Sequence, residues 1–146
     1  MRNRTRHGLL AQTIVLAGEK PASFKALLAA FETELQPRTQ IETSCVETMA
    51  VARWRLMRLW GMEKASLQHE MSKQDPGQHD PATHAALAFR ALCDESNSAN
   101  LLNRYETRYD RQYTRALNLL LKFRGGANEN FHSNPVPNSD TGSPVR

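Results

Sequence analysis

Apolar side chains recur every three or four residues along most of this chain, which is the period of amphipathic α-helices. From Pro21 this spacing predicts a helix that begins at a first-turn proline. Residues 39–42, TQIE, then form a capping box, in which the Thr39 hydroxyl accepts from the backbone and Glu42 reaches back. The long apolar stripe that follows, which includes Leu59 and Trp60, predicts a second helix that continues to about Lys73.

Two more helices follow in the second half of the chain. Asp80 and Pro81 repeat a capping residue and a first-turn proline, so a shorter helix is expected to begin there. The last helix is expected to end at Arg124, because Gly125 and Gly126 come next. No strand pattern competes with these helices. The sequence therefore predicts an all-α protein, either an antiparallel helical bundle or a long helical hairpin with smaller helices packed on it.

The pattern also divides the chain into three parts. Residues 1–19 are expected to form a basic N-terminal arm and strap, in which residues 9–16 fit a short helix, a strand or an extended segment equally well. Residues 20–124 form the predicted helical domain. Residues 125–146 are poor in large apolar groups and rich in Asn, Ser and Pro, so a disordered C-terminal tail is expected.

Charge and cysteine usage narrow the functional classes only a little. The chain has 146 residues, which suits one domain, and its 19 basic against 15 acidic residues give a formal net charge of +4. This small positive net charge is compatible with an anionic partner but is not evidence for one. Cys45 and Cys93 lie far apart in apolar, helical contexts, which favours reduced, buried thiols in a cytosolic protein.

The sequence does not indicate a membrane protein. No apolar run approaches the roughly 18 residues that a membrane span requires. The N-terminus is basic and then apolar, as signal peptides are, but Gln12 and Thr13 interrupt its apolar part and no cleavage site follows. We therefore expect a cytoplasmic location and no contact with a membrane.

The most unusual stretch is RYETRYDRQYTR, at residues 104–115. At about 100° per residue, its arginines fall within an arc of roughly 60° on the predicted helix, and its tyrosines fall on the neighbouring arc that continues the core stripe. The tyrosines are therefore expected to be buried. The arginines either contact phosphates or pair with acids of the same fold. We call these four residues the arginine row: Arg104, Arg108, Arg111 and Arg115.

A second candidate surface lies in the long helix. Trp54 and Met57 project away from the main apolar stripe, so this helix is either sandwiched between neighbours or meets another subunit. Trp54 and Met57 are thus candidate interface residues. Trp54 could also stack on a nucleic-acid base beside Arg55 and Arg58.

Neither an enzyme nor a metal site is expected. A tyrosine nucleophile would need converging activating groups, and none is recognisable. Several potential metal ligands flank residues 74–80, but their spacing matches no standard zinc site. We therefore assign no catalytic residue, cofactor or metal. The potential ligands are His69, Glu70, His79, Asp80 and His84.

Three stretches carry a resemblance to a known group of proteins. RHGLLAQTIVLAGE, VETMAVARWRLMRL and RYETRYDRQYTRAL have an order and spacing similar to those in a group of uncharacterised bacterial proteins. That group looks like the products of multi-copy genes of the kind associated with mobile elements. The resemblance implies contact with DNA or RNA and assigns no catalytic residue. At Lys20 the chain departs from the group, which tends to have an acidic helix cap there. The pattern positions are His7, Gly8, Gly18, Glu19, Trp54, Arg55, Arg104 and Tyr105.

One function and one alternative follow from the sequence. The first is a small, non-catalytic accessory protein that binds the phosphate backbone of DNA or RNA, alone or within a ribonucleoprotein, with weak sequence preference. The alternative is a helical module that binds a protein partner or a second copy of itself through Trp54 and Met57, without nucleic acid. The candidate nucleic-acid contacts are Arg2, Arg4, Arg6, Arg55, Arg58, Arg104, Arg108, Arg111 and Arg115.

Overall fold

The computed structural model describes the backbone of residues 2–94 and 97–129 and the side chains of residues 7–94 and 97–126. These residues form helices and no strand, which confirms the predicted all-α class. None of the described helices is long and apolar enough to span a bilayer. The helices are α1 (Arg2–Ile14), α2 (Pro21–Leu35), α3 (Gln40–Ser72), α4 (Pro81–Asp94) and α5 (Ser98–Glu129).

The helices begin close to where local sequence signals placed their starts. The backbone N–H of Glu42 donates to the Thr39 hydroxyl at 3.2 Å and begins α3 as predicted. The Glu42 carboxylate accepts from the backbone of Arg38 at 2.9 Å rather than from Thr39, so only half of the capping box forms. At the start of α4, the Asp80 carboxylate accepts from the backbone of Ala82 at 2.9 Å. Helix starts are therefore encoded by short-range contacts.

The structure selects among the possibilities at the N-terminal end of the chain and extends the last predicted helix. Of the three possibilities for residues 9–16, the short helix is the one found, since α1 covers Arg2–Ile14. At the other end, α5 continues through Gly125 and Gly126 to Glu129. A glycine ends a helix by adopting a positive φ angle, and neither of these glycines does so. Residues 125–129, which were predicted to belong to the disordered tail, are therefore helical, and the rest of that tail, residues 130–146, lies outside the described residues.

The two long helices, α3 and α5, form an antiparallel hairpin. The Trp60 indole of α3 meets Glu106 near the start of α5, and Cys45 packs on Leu120 near its end. Position numbers therefore rise along α3 as they fall along α5. Leu120 is fully buried, so its contacts with Cys45 and Val46 are part of the apolar seam that stabilises the hairpin.

Helices α1 and α2 cover one side of this hairpin, which we call the covered side. Ala11 and Ile14 of α1 form a buried cluster with Phe24 of α2 and Val51 of α3. Farther along, Phe31 of α2 packs against the buried seam of the hairpin. The shorter α4 packs against both long helices, with Ala88 and Leu92 as its buried residues. The all-α prediction therefore takes the form of a long hairpin with smaller helices packed on it.

Candidate functional site

A groove of about 540 Å³ runs between α3 and α5, and residues of these two helices alone line it. We call it the open groove, and the side of the hairpin that it occupies the open side. Its α3 wall and its α5 wall run in opposite directions because the helices are antiparallel. The lining residues are Ile41, Ser44, Cys45, Thr48 and Arg55 of α3 and Arg108, Gln112, Arg115, Ala116 and Leu119 of α5.

The charged groups that line the open groove are all arginines. Arg55, Arg108 and Arg115 contribute their side chains, and none of the described lining residues is acidic. The floor is apolar, with Cys45 and Ala116 buried. Burial raises the pKa of the Cys45 thiol, and the charge of Glu42 raises it further, so the thiol stays protonated at neutral pH. The groove therefore combines three guanidinium groups with an uncharged floor.

The arginine row lies along the outer flank of α5 beside this groove. All four side chains are exposed, and two of them, Arg108 and Arg115, also line the groove. Within the described part of the chain, the row makes no ion pair with an acidic side chain. The sequence left two alternatives for these arginines, contact with phosphates or pairing with acids of the same fold. The described residues do not show the pairing with acids.

The tyrosines of the same stretch lie between core and surface. The Tyr113 ring packs edge-on against Phe31 at 6.1 Å between centroids, as the core-stripe prediction requires. Tyr109 is half-buried, and its ring stacks at 6.0 Å on Tyr105, whose exposed fraction is 39%. The Arg55 guanidinium lies 5.8 Å from the Tyr109 centroid. The expectation of buried tyrosines is therefore wrong, since Tyr105 is exposed and Tyr109 and Tyr113 are only half-buried.

Arg58 behaves differently from its neighbour Arg55. Its Nε donates to the Glu19 carboxylate at 2.6 Å, and its Nη2 donates to the same carboxylate at 2.8 Å and to the Ile14 carbonyl at 2.7 Å. The Arg58 hydrogen bonds lower the pKa of Glu19 to about 2, and the ion pair raises the pKa of Arg58. Arg58 therefore attaches α3 to the end of α1, and it does not belong to the exposed arginines.

Trp54 is also part of the covered side. Its indole N–H donates to Glu19 at 3.2 Å, and its ring packs edge-on against Phe24 at 5.6 Å between centroids. The second apolar face of α3 is thus explained by neighbouring helices of the same chain, so Trp54 is not a free interface residue. Met57 remains on the surface with an exposed fraction of 45%.

The other tryptophan, which sequence periodicity placed on the main core stripe, is largely at the surface. Trp60 is 40% exposed, and its indole N–H donates to Glu106 at 3.0 Å. It lines a cleft of about 270 Å³ between α3, α4 and α5. Among the described lining residues, the charged ones are Glu63 and Glu106, and Phe89 adds an exposed aromatic wall. The described linings of this cleft and of the open groove thus carry opposite charge.

One contact was not predicted from the sequence at all. Arg124 donates through Nη2 to the carbonyl oxygen of Leu35, at the end of α2, and to the Glu42 carboxylate at 3.1 Å. The backbone N–H of Arg38 lowers the pKa of Glu42, and the bond from Arg124 lowers it further. The capping box marked Glu42, but nothing in the sequence indicated that an arginine 82 positions away would reach it.

The remaining candidate residues add little to a site. The side chains of Arg2, Arg4 and Arg6 lie outside the described residues. Among those that are described, no three His, Cys, Asp or Glu side chains come together in a metal-binding group. His7 instead contacts Glu32 at 2.9 Å, which attaches α1 to α2.

Comparison with known proteins does not assign a family. No protein-family model matches this chain, and no curated protein or solved structure matches it either. The resemblance to mobile-element-associated bacterial proteins stays a prediction.

Proposed function

We propose that this protein binds the phosphate backbone of nucleic acid on its open side, as a non-catalytic accessory protein. One observation carries the proposal: Arg55 and two members of the exposed arginine row, Arg108 and Arg115, line a groove in which no described lining residue is acidic. Guanidinium groups bind phosphate through paired hydrogen bonds, and several of them along one backbone add their effects.

The charge distribution on α5 supports this proposal. Arg104 and Arg108 are four residues apart, as are Arg111 and Arg115, so like charges are neighbours on one helix face. Each such pair destabilises an isolated helix by about 0.2–0.5 kcal/mol. A bound polyanion would remove that repulsion. On the covered side, by contrast, Arg58 is neutralised within the fold.

The proposed contacts are to phosphates, so affinity should depend weakly on sequence and strongly on salt. The row covers about 16 Å of helix, since each residue adds about 1.5 Å. With four or five phosphate contacts to a single strand, affinity should fall roughly 50- to 130-fold between about 50 and 200 mM salt. Fluorescence anisotropy with a labelled mixed-sequence oligonucleotide measures this dependence.

The deciding variant replaces Arg104, Arg108, Arg111 and Arg115 together by Gln. We expect it to lose binding and to keep the circular dichroism spectrum of the wild type, because these side chains are exposed. The matched control replaces four other exposed basic residues by Gln and lowers the formal net charge from +4 to 0 in the same way. Those residues are Lys20, Lys25, Lys64 and Arg90.

The two variants separate a local site from a general charge effect. Binding that survives in the row variant would remove the arginine row from the proposal. Equal losses in both variants would mean that net charge alone attracts nucleic acid, and the site would be wrong. Loss in the row variant with retention in the control supports the proposal.

A second candidate function is self-association through the other end of the hairpin. Met57 and Trp60 are one turn apart on α3, and Trp60 shares the cleft with Phe89, which is 54% exposed. An apolar face of this kind fits a second copy of the chain. Light scattering over a concentration series tests it: a dimer mass that Phe89→Ser shifts to the monomer would support it. A monomer mass at every concentration would exclude it.

A further inference from the structure

We infer that the open groove prefers a single strand of nucleic acid to a duplex; this inference rests on the proposed function. The arginines do not account for the apolar part of the groove lining. Phosphates alone would need only the three arginines, yet much of the remaining lining is apolar, including Ile41 at 52% and Leu119 at 45% exposure. Exposed aliphatic side chains beside guanidinium groups indicate a ligand that has both an anionic part and a flat apolar part.

The apolar lining lies toward one end of the groove, while the arginines extend from the other end to Arg115, one turn before Leu119. Because α3 and α5 are antiparallel, Arg55 lies near Arg108 at one end, and Ile41 lies near Leu119 at the other. Between them, the exposed Ser44 hydroxyl and the half-buried Gln112 amide can donate and accept hydrogen bonds. Along its length, the groove thus presents guanidinium groups first and aliphatic side chains at its far end, next to Arg115.

A duplex and a single strand would meet this surface differently. A duplex keeps its bases stacked inside and presents phosphates, so it would contact only the outer row on α5. A single strand exposes base faces and base edges. Its phosphates would lie at Arg55, Arg108 and Arg115, while a base would pack on the apolar end and reach the polar groups between.

An aromatic stack next to the groove supports the same ligand. Arg55, which lines the groove, lies over Tyr109, and Tyr109 stacks on the exposed Tyr105. Aromatic rings beside a basic groove are the usual means by which proteins hold single strands, since every base has a face that can stack. The next base along the strand would therefore stack on Tyr105.

The test compares a labelled oligonucleotide as a single strand and as a duplex of the same sequence, at one salt concentration. We expect the single strand to bind about tenfold more tightly, which is the contribution of roughly one stacked base. Separate RNA and DNA versions show which sugar is preferred. Anisotropy titrations with the full chain measure all four affinities.

A double variant, Ile41→Ser with Leu119→Ser, should lower single-strand affinity about tenfold and change duplex affinity by less than about twofold. Both side chains are already exposed, so the fold should persist. The matched control is Leu87→Ser with Leu121→Ser, which changes two exposed leucines outside the groove. It should leave both affinities unchanged.

The outcomes distinguish this inference from the proposed function. If the wild type binds neither form, the proposed function fails and the inference fails with it. If both forms bind equally, or if the Ile41 and Leu119 variant keeps its single-strand affinity, only the inference fails. A larger effect of the control variant than of the groove variant would also overturn it.

Discussion

The covered and open sides of the α3–α5 hairpin use the same residue type in opposite ways. On the covered side, Arg58 and Arg124 each reach a carboxylate and a backbone carbonyl of another helix or its end. On the open side, Arg108 and Arg115 line a groove without an acidic neighbour among the described lining residues. Arginine content alone does not distinguish these roles, because the difference is made by the helices that pack nearby.

The partnered arginines act as connectors between helices. Glu19 follows α1 and precedes α2, so its bond to Arg58 attaches the end of α1 to the middle of α3. Arg124 joins the end of α2 to the first turn of α3. The arginine row makes no ion pair with an acidic side chain among the described residues. Changes to the two kinds should therefore affect different measurements.

The largest expected effect comes from the seam that separates the two sides. Leu120 is fully buried between α3 and α5, so Leu120→Ala should lower the free energy of unfolding by about 2–5 kcal/mol. Urea denaturation followed by circular dichroism measures the loss. Leu121→Ala is the control, since its side chain is 56% exposed and should change stability by less than about 0.5 kcal/mol. Similar losses for both would contradict the assigned helix register.

A smaller effect should separate the two kinds of arginine. Arg58→Gln removes hydrogen bonds to a carboxylate and a carbonyl and should lower the free energy of unfolding by about 2 kcal/mol, with nucleic-acid affinity unchanged. Arg108→Gln should do the reverse: stability within about 0.5 kcal/mol of wild type and a salt slope reduced by about 0.7. Urea denaturation and anisotropy are measured on both variants. If either variant changed both its stability and its nucleic-acid binding, the distinction between the two kinds of arginine would be wrong.

An ion pair on the covered side should also make the stability of the fold depend on pH. The pKa of Glu19 is lowered from 4.5 to about 2 in the folded chain, so its ion pair with Arg58 stabilises the fold fully above pH 4.5. As the pH falls from 4.5 towards 2, the unfolded chain takes up a proton first and that contribution is lost. Because solvent reaches part of this pair, we expect a loss of about 1 kcal/mol.

The measurement compares urea denaturation at neutral pH and near pH 3 for the wild type and for Arg58→Gln. Other carboxylates with lowered pKa, Glu42 and Asp80, contribute to both chains and cancel in the difference. The wild type should lose more stability than the variant on acidification. Equal losses would show that the pair with Arg58 does not set the pKa of Glu19.

Some of this arrangement was predictable from sequence because it depends on residues close together in the chain. The Thr39 cap, the proline that begins α2 and the separation of arginines from tyrosines on α5 all follow from spacing within a few residues. The periodicity of one helix shows which side chains share a face. It therefore predicted the arginine row as a unit.

What could not be predicted depends on which helices cover which face. The pair of Glu19 and Arg58 spans 39 positions, and no local pattern specifies it. For the same reason the two tryptophans exchanged their expected roles: Trp54 is covered by α2, while Trp60 lies where the cleft opens. Periodicity identifies the apolar face of a helix, but it does not show how much of that face the neighbouring helices bury.

The smallest expected effect tests whether the charge of the open groove acts locally. Glu63→Gln with Glu106→Gln removes two exposed acids from the cleft and raises the formal net charge from +4 to +6. Neither acid lines the open groove, and salt weakens the interactions of exposed charges, so nucleic-acid affinity should rise by less than about twofold. Anisotropy at physiological salt measures the change. A rise as large as the loss caused by Arg108→Gln with Arg115→Gln would mean that the whole surface attracts phosphate. A rise below twofold, with a large loss in the arginine variant, would instead locate the attraction on the open side, where fixed guanidinium groups act within contact distance.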